Sequence, residues 1–367
     1  MKEKPVHPQT NALQKSTESE KQLKHKKWVW TLVFLAIAAV SIWAVTSQIR
    51  SFSLSELIAA LRSANPGWIL IAVLCMVGFI LFEALALRCI CRSFGNPCRV
   101  HESLVYSTSD IYFSAITPSA TGGQPASAFF MMHNGIPGSL TAVILIANLV
   151  MYTLSILTIG VISFLICPSI LQLFGTPSKI LILIGCVAQI GLACFFWLLL
   201  KKEQFLQKCG GGLIHLLAKL RLLRNKENKM IQKLERTIAE YKAASGLLRG
   251  HRKMLLQVYV LNVFQRVSQI AVSMFIYLAM FPGGGNAVKV FVLQSCTVLG
   301  SNCIPIPGAM GVSDYLMLDG FSKILTEQQA VNLELISRSV SFYICILICG
   351  IYTLLKYLLL MKRSQLS

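Results

Sequence analysis

Charge is what this 367-residue chain has least of. Only 13% of its residues are Asp, Glu, Lys or Arg, against about 25% in soluble globular domains. Acid is scarcer still: 15 Asp and Glu stand against 34 Lys and Arg, leaving a net charge of +19. A chain so poor in charge is neither an ordinary cytosolic enzyme nor an intrinsically disordered segment. It also lacks an H-E-x-x-H pair, a phosphate-binding P-loop and a G-x-S-x-G nucleophile elbow, so nothing points to a metalloenzyme, nucleotide hydrolase or serine hydrolase. No apolar run begins before Trp28, so a conventional cleaved signal peptide is not expected at the start. What is present in excess is hydrophobicity: 55% of residues, a mean hydropathy of +0.64, and runs of about 18 residues or more, long enough to cross a bilayer. The chain reads as an all-α polytopic membrane protein.

The basic excess lies beside the apolar runs, where membrane topology and anionic lipid demand it. No nucleic-acid partner is expected from it. The twelve cysteines do not form a disulfide pattern. Cys75, Cys186, Cys194, Cys296, Cys345 and Cys349 lie within apolar runs as small hydrophobic residues. Cys89, Cys91 and Cys98 cluster without a second pair to complete a metal site. No metal or cofactor is expected.

Residues 1–27, with seven lysines, read as a basic cytoplasmic tail. Residues 28–361 form the membrane domain, and 362–367 a cytoplasmic C-terminus. About six full spans are expected, at roughly 28–46, 67–91, 138–166, 179–200, 254–281 and 339–361. Between the fourth and fifth lies a basic loop, 201–253, in which Leu213, Leu216, Leu217, Leu220 and Leu223 recur at helical spacing. It reads either as an amphipathic helix on the inner leaflet or as a solvated helix packed on the protein. The chain stops at Ser367, so no soluble acyltransferase domain is expected after the last span.

Two apolar segments are broken by proline and glycine. Residues 103–137 contain Thr117-Pro118-Ser119-Ala120-Thr121-Gly122-Gly123-Gln124-Pro125, and residues 289–332 contain Pro305-Ile306-Pro307-Gly308-Ala309-Met310-Gly311-Val312-Ser313-Asp314. Such breaks release backbone N–H and C=O groups. In hydrocarbon each unsatisfied group costs several kcal/mol, so the breaks must be buried in protein or line a wet cavity. Charge counting puts the tail, residues 92–101 and the 201–253 loop inside, and residues 47–66 and 167–178 outside. The two broken segments then enter as re-entrant hairpins from opposite faces. Segments 67–166 and 254–361 become candidate inverted repeats of a transporter type.

The first break offers chemistry. Gly122 and Gly123 permit close approach, and a helix beginning there would aim its N-terminus at an anion. Thr117, Ser119, Thr121 and Gln124 can add hydrogen bonds. A plain kink for close helix packing explains the same residues. In the second break Gly308 and Gly311 bend the chain, while Asp314 is either a helix-capping carboxylate or a charge facing a cavity. Glu83, Asp110 and Arg266 lie at membrane depth, where ionisable side chains are costly and point to function. Arg338 stands at the start of the last span. Pairings of Glu83 with Arg266 and of Asp314 with Arg338 are the natural charge matches.

The ordered pair of motifs, Thr117 to Pro125 and then Pro305 to Asp314, resembles the lysylphosphatidylglycerol synthase transmembrane-region family over about residues 28–361. Arg338 fits an arginine that the family carries near a late helix start, and Asp314 stands where the family usually has glutamate. The resemblance implies a flippase-like membrane protein in the cell membrane. In two-part members, a soluble domain moves lysine from lysyl-tRNA to phosphatidylglycerol and so confers resistance to cationic peptides. It therefore leaves three readings open. The first is a mover of an anionic phospholipid, aminophospholipid or polyprenyl-phosphate lipid. The second is a phosphatidylglycerol lysyltransferase, or its membrane subunit with a separate soluble transferase partner. The third is a non-transporting scaffold.

Overall fold

A computed structural model describes residues 62–117, 121–201, 250–304 and 311–366, with isolated positions at 58–59, 238–248 and 309. The tail 1–27, the expected span 28–46, most of the 201–253 loop, Ser119 and Gly308 lie outside the described residues. Every regular element described is helical.

Helix α1 (Pro66–Ser93) opens on a clear start signal: Pro66 stands at its first position, and Asn65 Oδ1 accepts the Gly67 N–H at 2.9 Å. A hairpin of α2 (Val100–Ile116) and α3 (Gly123–His133) follows, then α4 (Gly138–Ile166). A 3₁₀ turn, Pro168–Leu173, leads to α5 (Thr176–Lys201). The order then recurs. Helix α6 (Arg252–Met280) is followed by a hairpin of α7 (Ala287–Ser301) and α8 (Val312–Phe321). Last comes α9 (Glu327–Arg338), which runs through a π-helical segment, Ser339–Ile344, into α10 (Cys345–Leu366).

Five of the described helices are long and apolar enough to cross a membrane: 66–93, 138–166, 176–201, 252–280 and the continuous 327–362. The last differs from the sequence expectation of 339–361. Thr326 caps it by accepting the Gln329 N–H at 3.4 Å, while Gln329 Oε1 accepts the Thr326 N–H at 3.2 Å. Helix propagation therefore begins at 327, although Glu327, Gln328, Gln329 and Glu334 lower the hydropathy of its first three turns. Arg338 consequently sits inside a long helix rather than at its start.

Helices α1 and α6 form the most extensive pairing among the described helices. They run antiparallel. Trp68 stacks on Phe275 near one end, and Phe82 on Phe264 further along, with ring centroids 5.8 and 5.6 Å apart. Around this pair the apolar side chains divide into two cores. One gathers Met76, Ile276, Leu293, Leu316 and Phe321 and joins the second hairpin to the C-terminal half of α6. The other gathers Leu87, Ile90, Met131, Ile144 and Val258 and holds the first hairpin against the C-terminal half of α1. The hairpins thus pack toward opposite ends of the α1–α6 pair, and the turns between the two cores, Phe79 to Glu83 and Arg266 to Gln269, are where polar side chains collect.

Candidate functional site

Both helix breaks border one cavity of about 530 Å³, within the range of about 300–1,000 Å³ usual for small-molecule sites. The first hairpin contributes Asp110, Ser114, Thr121 and Gln124, and the second contributes Ser301, Asn302, Ile304, Ala309 and Ser313. Glu83, Tyr152, Arg266, Gln269, Gln294 and Arg338 complete the polar wall.

Arg266 is the most informative member. It stands midway along α6 and is 5% exposed. Its guanidinium lies over the Tyr152 ring at 4.1 Å and the Phe79 ring at 5.0 Å, so its plane is held by cation–π contact. One terminal nitrogen donates to Gln269 Oε1 at 2.5 Å, while Nε has no hydrogen-bond partner. A buried guanidinium N–H left unmatched is costly. The side chain lines the cavity, where an anion can meet the rest of its guanidinium. Gln189 Nε2 and Gln294 Oε1, on the same wall, are also buried without a partner.

Glu83 and Asp110 are the acidic side chains of the cavity, and they hydrogen-bond to each other. Glu83 Oε2 accepts from Gln265 Nε2 at 3.0 Å, one residue before the arginine with which it was matched by sequence. It lines the same cavity as Arg266, with which it interacts through charge, and it also hydrogen-bonds with Ser107. Asp110 accepts from Ser114 Oγ at 3.1 Å and from Gln124 Nε2 at 2.7 Å. Gly123 is where it is because of this carboxylate: a Cβ there would overlap Asp110 Oδ1 and Ser114 Oγ. The N-terminus of α3 therefore abuts a carboxylate of its own hairpin. Gly122 packs on Thr117, whose hydroxyl donates to Phe113 O at 2.6 Å and accepts the Gly122 N–H at 2.9 Å. Thr117 thus ties the two sides of the break together.

In the second hairpin Asp314 does two things. Its Oδ2 accepts the Gly311 N–H at 2.8 Å, capping α8, and its Oδ1 pairs with Arg338 Nε at 2.7 Å. Gly311 adopts φ +80°, a left-handed conformation that suits glycine. Glu334, one turn before Arg338 and 3% exposed, lies 3.9 Å from the same Nε.

Of the residues singled out by sequence, Glu83, Asp110, Thr121, Gln124, Arg266 and Arg338 line the cavity. Thr117, Gly122, Gly123, Gly311 and Asp314 shape its borders without lining it. Sequence reasoning passed over Tyr152, Gln189, Gln269, Gln294 and Asn302. Their signal was an amide or phenol inside an otherwise apolar span. Tyr152 OH donates to Asn302 Oδ1 at 3.1 Å, joining α4 to the second break. The arrangement can hold an anion at the arginines and a cation at Glu83 and Asp110. Among the described residues no three His, Cys, Asp or Glu side chains converge as metal ligands.

Comparison with known proteins places this geometry in context. The family described as "Lysylphosphatidylglycerol synthase TM region" matches residues 30–349. A UPF0104 membrane protein of Archaeoglobus fulgidus is 28% identical over 106 residues, a stretch covering 29% of this chain and 32% of that protein. The chain thus aligns with about a third of that relative's length.

Proposed function

Because the chain belongs to the lysylphosphatidylglycerol synthase transmembrane-region family, we propose that it binds the headgroup of an anionic phospholipid, aminophospholipid or polyprenyl-phosphate lipid and carries it across the membrane. The observation that supports this most is the cavity between the two helix breaks, with the buried guanidinium of Arg266 on its wall. A phosphate there meets the Arg266 guanidinium in charge-assisted hydrogen bonds, while Arg338 stands on the same wall already paired with Asp314. An amine on the same headgroup meets Glu83 and Asp110. The repeated order of span, broken hairpin and span, with antiparallel leading helices, suits an inverted-repeat transporter in which one unit rocks against the other. The acyl chains stay in lipid while the headgroup changes sides.

The test is headgroup translocation in proteoliposomes across a panel of anionic lipids. Wild type accelerates exchange of at least one of them, and Arg266→Ala reduces that rate at least tenfold while the protein stays folded. Equal rates in protein-free vesicles, wild type and variant defeat the proposal. A second reading follows from the family's description as part of a synthase: this chain is the membrane portion of a lysyl-transfer enzyme. Purified protein given labelled lysyl-tRNA and phosphatidylglycerol then yields labelled lysyl-lipid, which a carrier alone does not.

A further inference from the structure

A second, wholly different depression lies on the other side of the same turns of α1. It is an apolar groove of about 190 Å³, bordered by Met76, Val77, Ile80 and Leu81 of α1 and by Val340, Ile344 and Ile348 of the π segment and α10. Phe79 and Glu83, interleaved with those α1 residues, face the polar cavity. The π segment behaves likewise: Val340 and Ile344 border the groove, Ser341 and Phe342 the cavity, and Cys345 borders both. One turn of α1 and one π turn, with Leu104 to Ile111 of α2 beside them, therefore lie between a charged compartment and an apolar one. The groove mouth continues outward into exposed apolar side chains, with Leu70, Leu74, Val77 and Leu81 along α1 and Leu347, Ile348 and Ile351 along α10.

We propose that this groove is the acyl-chain subsite of the lipid whose headgroup occupies the cavity. The inference rests on the headgroup reading above and deepens it. A headgroup held beside Arg266 is midway along a membrane-length helix, so its chains cannot leave toward either surface and must exit sideways at the same depth. The groove opens at that depth, in the same turns, and its wall is mostly aliphatic, with Thr108 and Tyr352 its hydroxyl-bearing members. The π turn gives the partition its shape, since it departs from the α-helical repeat where the two compartments meet. The ligand is then a membrane lipid that straddles the partition, and a soluble phosphate compound fills only half of the site.

The test places the photoreactive residue benzoylphenylalanine at Val77, in full-length protein reconstituted in vesicles of phosphatidylethanolamine and phosphatidylglycerol. A second protein carries it at Leu183 of α5, which is 64% exposed and distant from the groove lining. Adducts are weighed after illumination. The expected result is a lipid adduct at Val77 that falls at least fivefold when Arg266→Ala is added, while capture at Leu183 is unaffected. A peptide adduct from residues 28–46, no adduct, or lipid capture indifferent to Arg266 each overturn the subsite, the last meaning bulk bilayer lipid only. The headgroup reading is judged separately by translocation: loss of transport in Arg266→Ala without dependent capture at Val77 removes the groove alone, whereas unchanged transport removes the headgroup reading.

Discussion

Arg266 shows why burial and charge must be read together. Stacked on Tyr152 and Phe79, its guanidinium has a held plane, a bond to Gln269 and a buried Nε without a hydrogen-bond partner. Lysine keeps the charge and loses the fork and the ring stacking. Arg266→Lys is therefore expected to slow headgroup translocation by at least tenfold with little change in thermal unfolding. Asp314 behaves differently, because its partner is already in place. Asp314→Asn leaves Arg338 and the Gly311 N–H with a weaker acceptor, at a cost of about 1–3 kcal/mol. Thermal unfolding in detergent should register that loss, and it should shrink in the Arg338→Gln background if the ion pair is responsible. At Gly123 even alanine is too large. Gly123→Ala pushes against Asp110 and Ser114 and is expected to lower the unfolding midpoint, whereas Gly135→Ala, where no atom crowds the site, tests the strain of positive φ alone.

At the scale of helices and breaks, much was legible in the sequence. The span expected at 138–166 is α4 to the residue, because an uninterrupted apolar run has only one stable solution in lipid. The two hairpins were marked by their prolines and glycines. The start of α9 was hidden: its polar face looks like a loop to any hydropathy average, and only its cap at Thr326 announces a helix. The pairing of Asp314 with Arg338 followed from charge matching alone. That Glu83 meets Gln265 instead of Arg266 could not, since neighbouring residues on a helix differ by about 100° in direction and spacing says nothing of which one faces α1. The π turn was equally invisible, being a register shift with no sequence signature of its own. It yields a sharp prediction. Deleting Ser339 should remove the extra residue that the π turn accommodates and relax the segment to α-helix, with α10 keeping its facing relative to α9. Cys345 and Ile346 then stay on the cavity wall. Circular dichroism should remain helical and translocation should persist, whereas a second deletion in the relaxed helix should rotate α10 by about 100° and abolish it.

The described residues form a polar layer between two apolar cores, threaded by one antiparallel helix pair. If the repeats are inverted in the membrane, the turn after α3 and the turn after α6 face opposite sides. Cysteines introduced at Asn134 and Gly283, in a background free of reactive thiols, should then be labelled by an impermeant maleimide from opposite faces of oriented vesicles. Labelling of both from one face defeats the arrangement. The pairing of Glu83 with Gln265 also has a history. The two are 182 residues apart, and at about 5–20 residues per second a ribosome needs roughly 10–40 s to make the second after the first. For that interval α1 must wait beside the insertion machinery with an acidic group and no amide to receive it, so the order of synthesis makes late helix docking, rather than span insertion, the step at which this protein is most exposed to degradation.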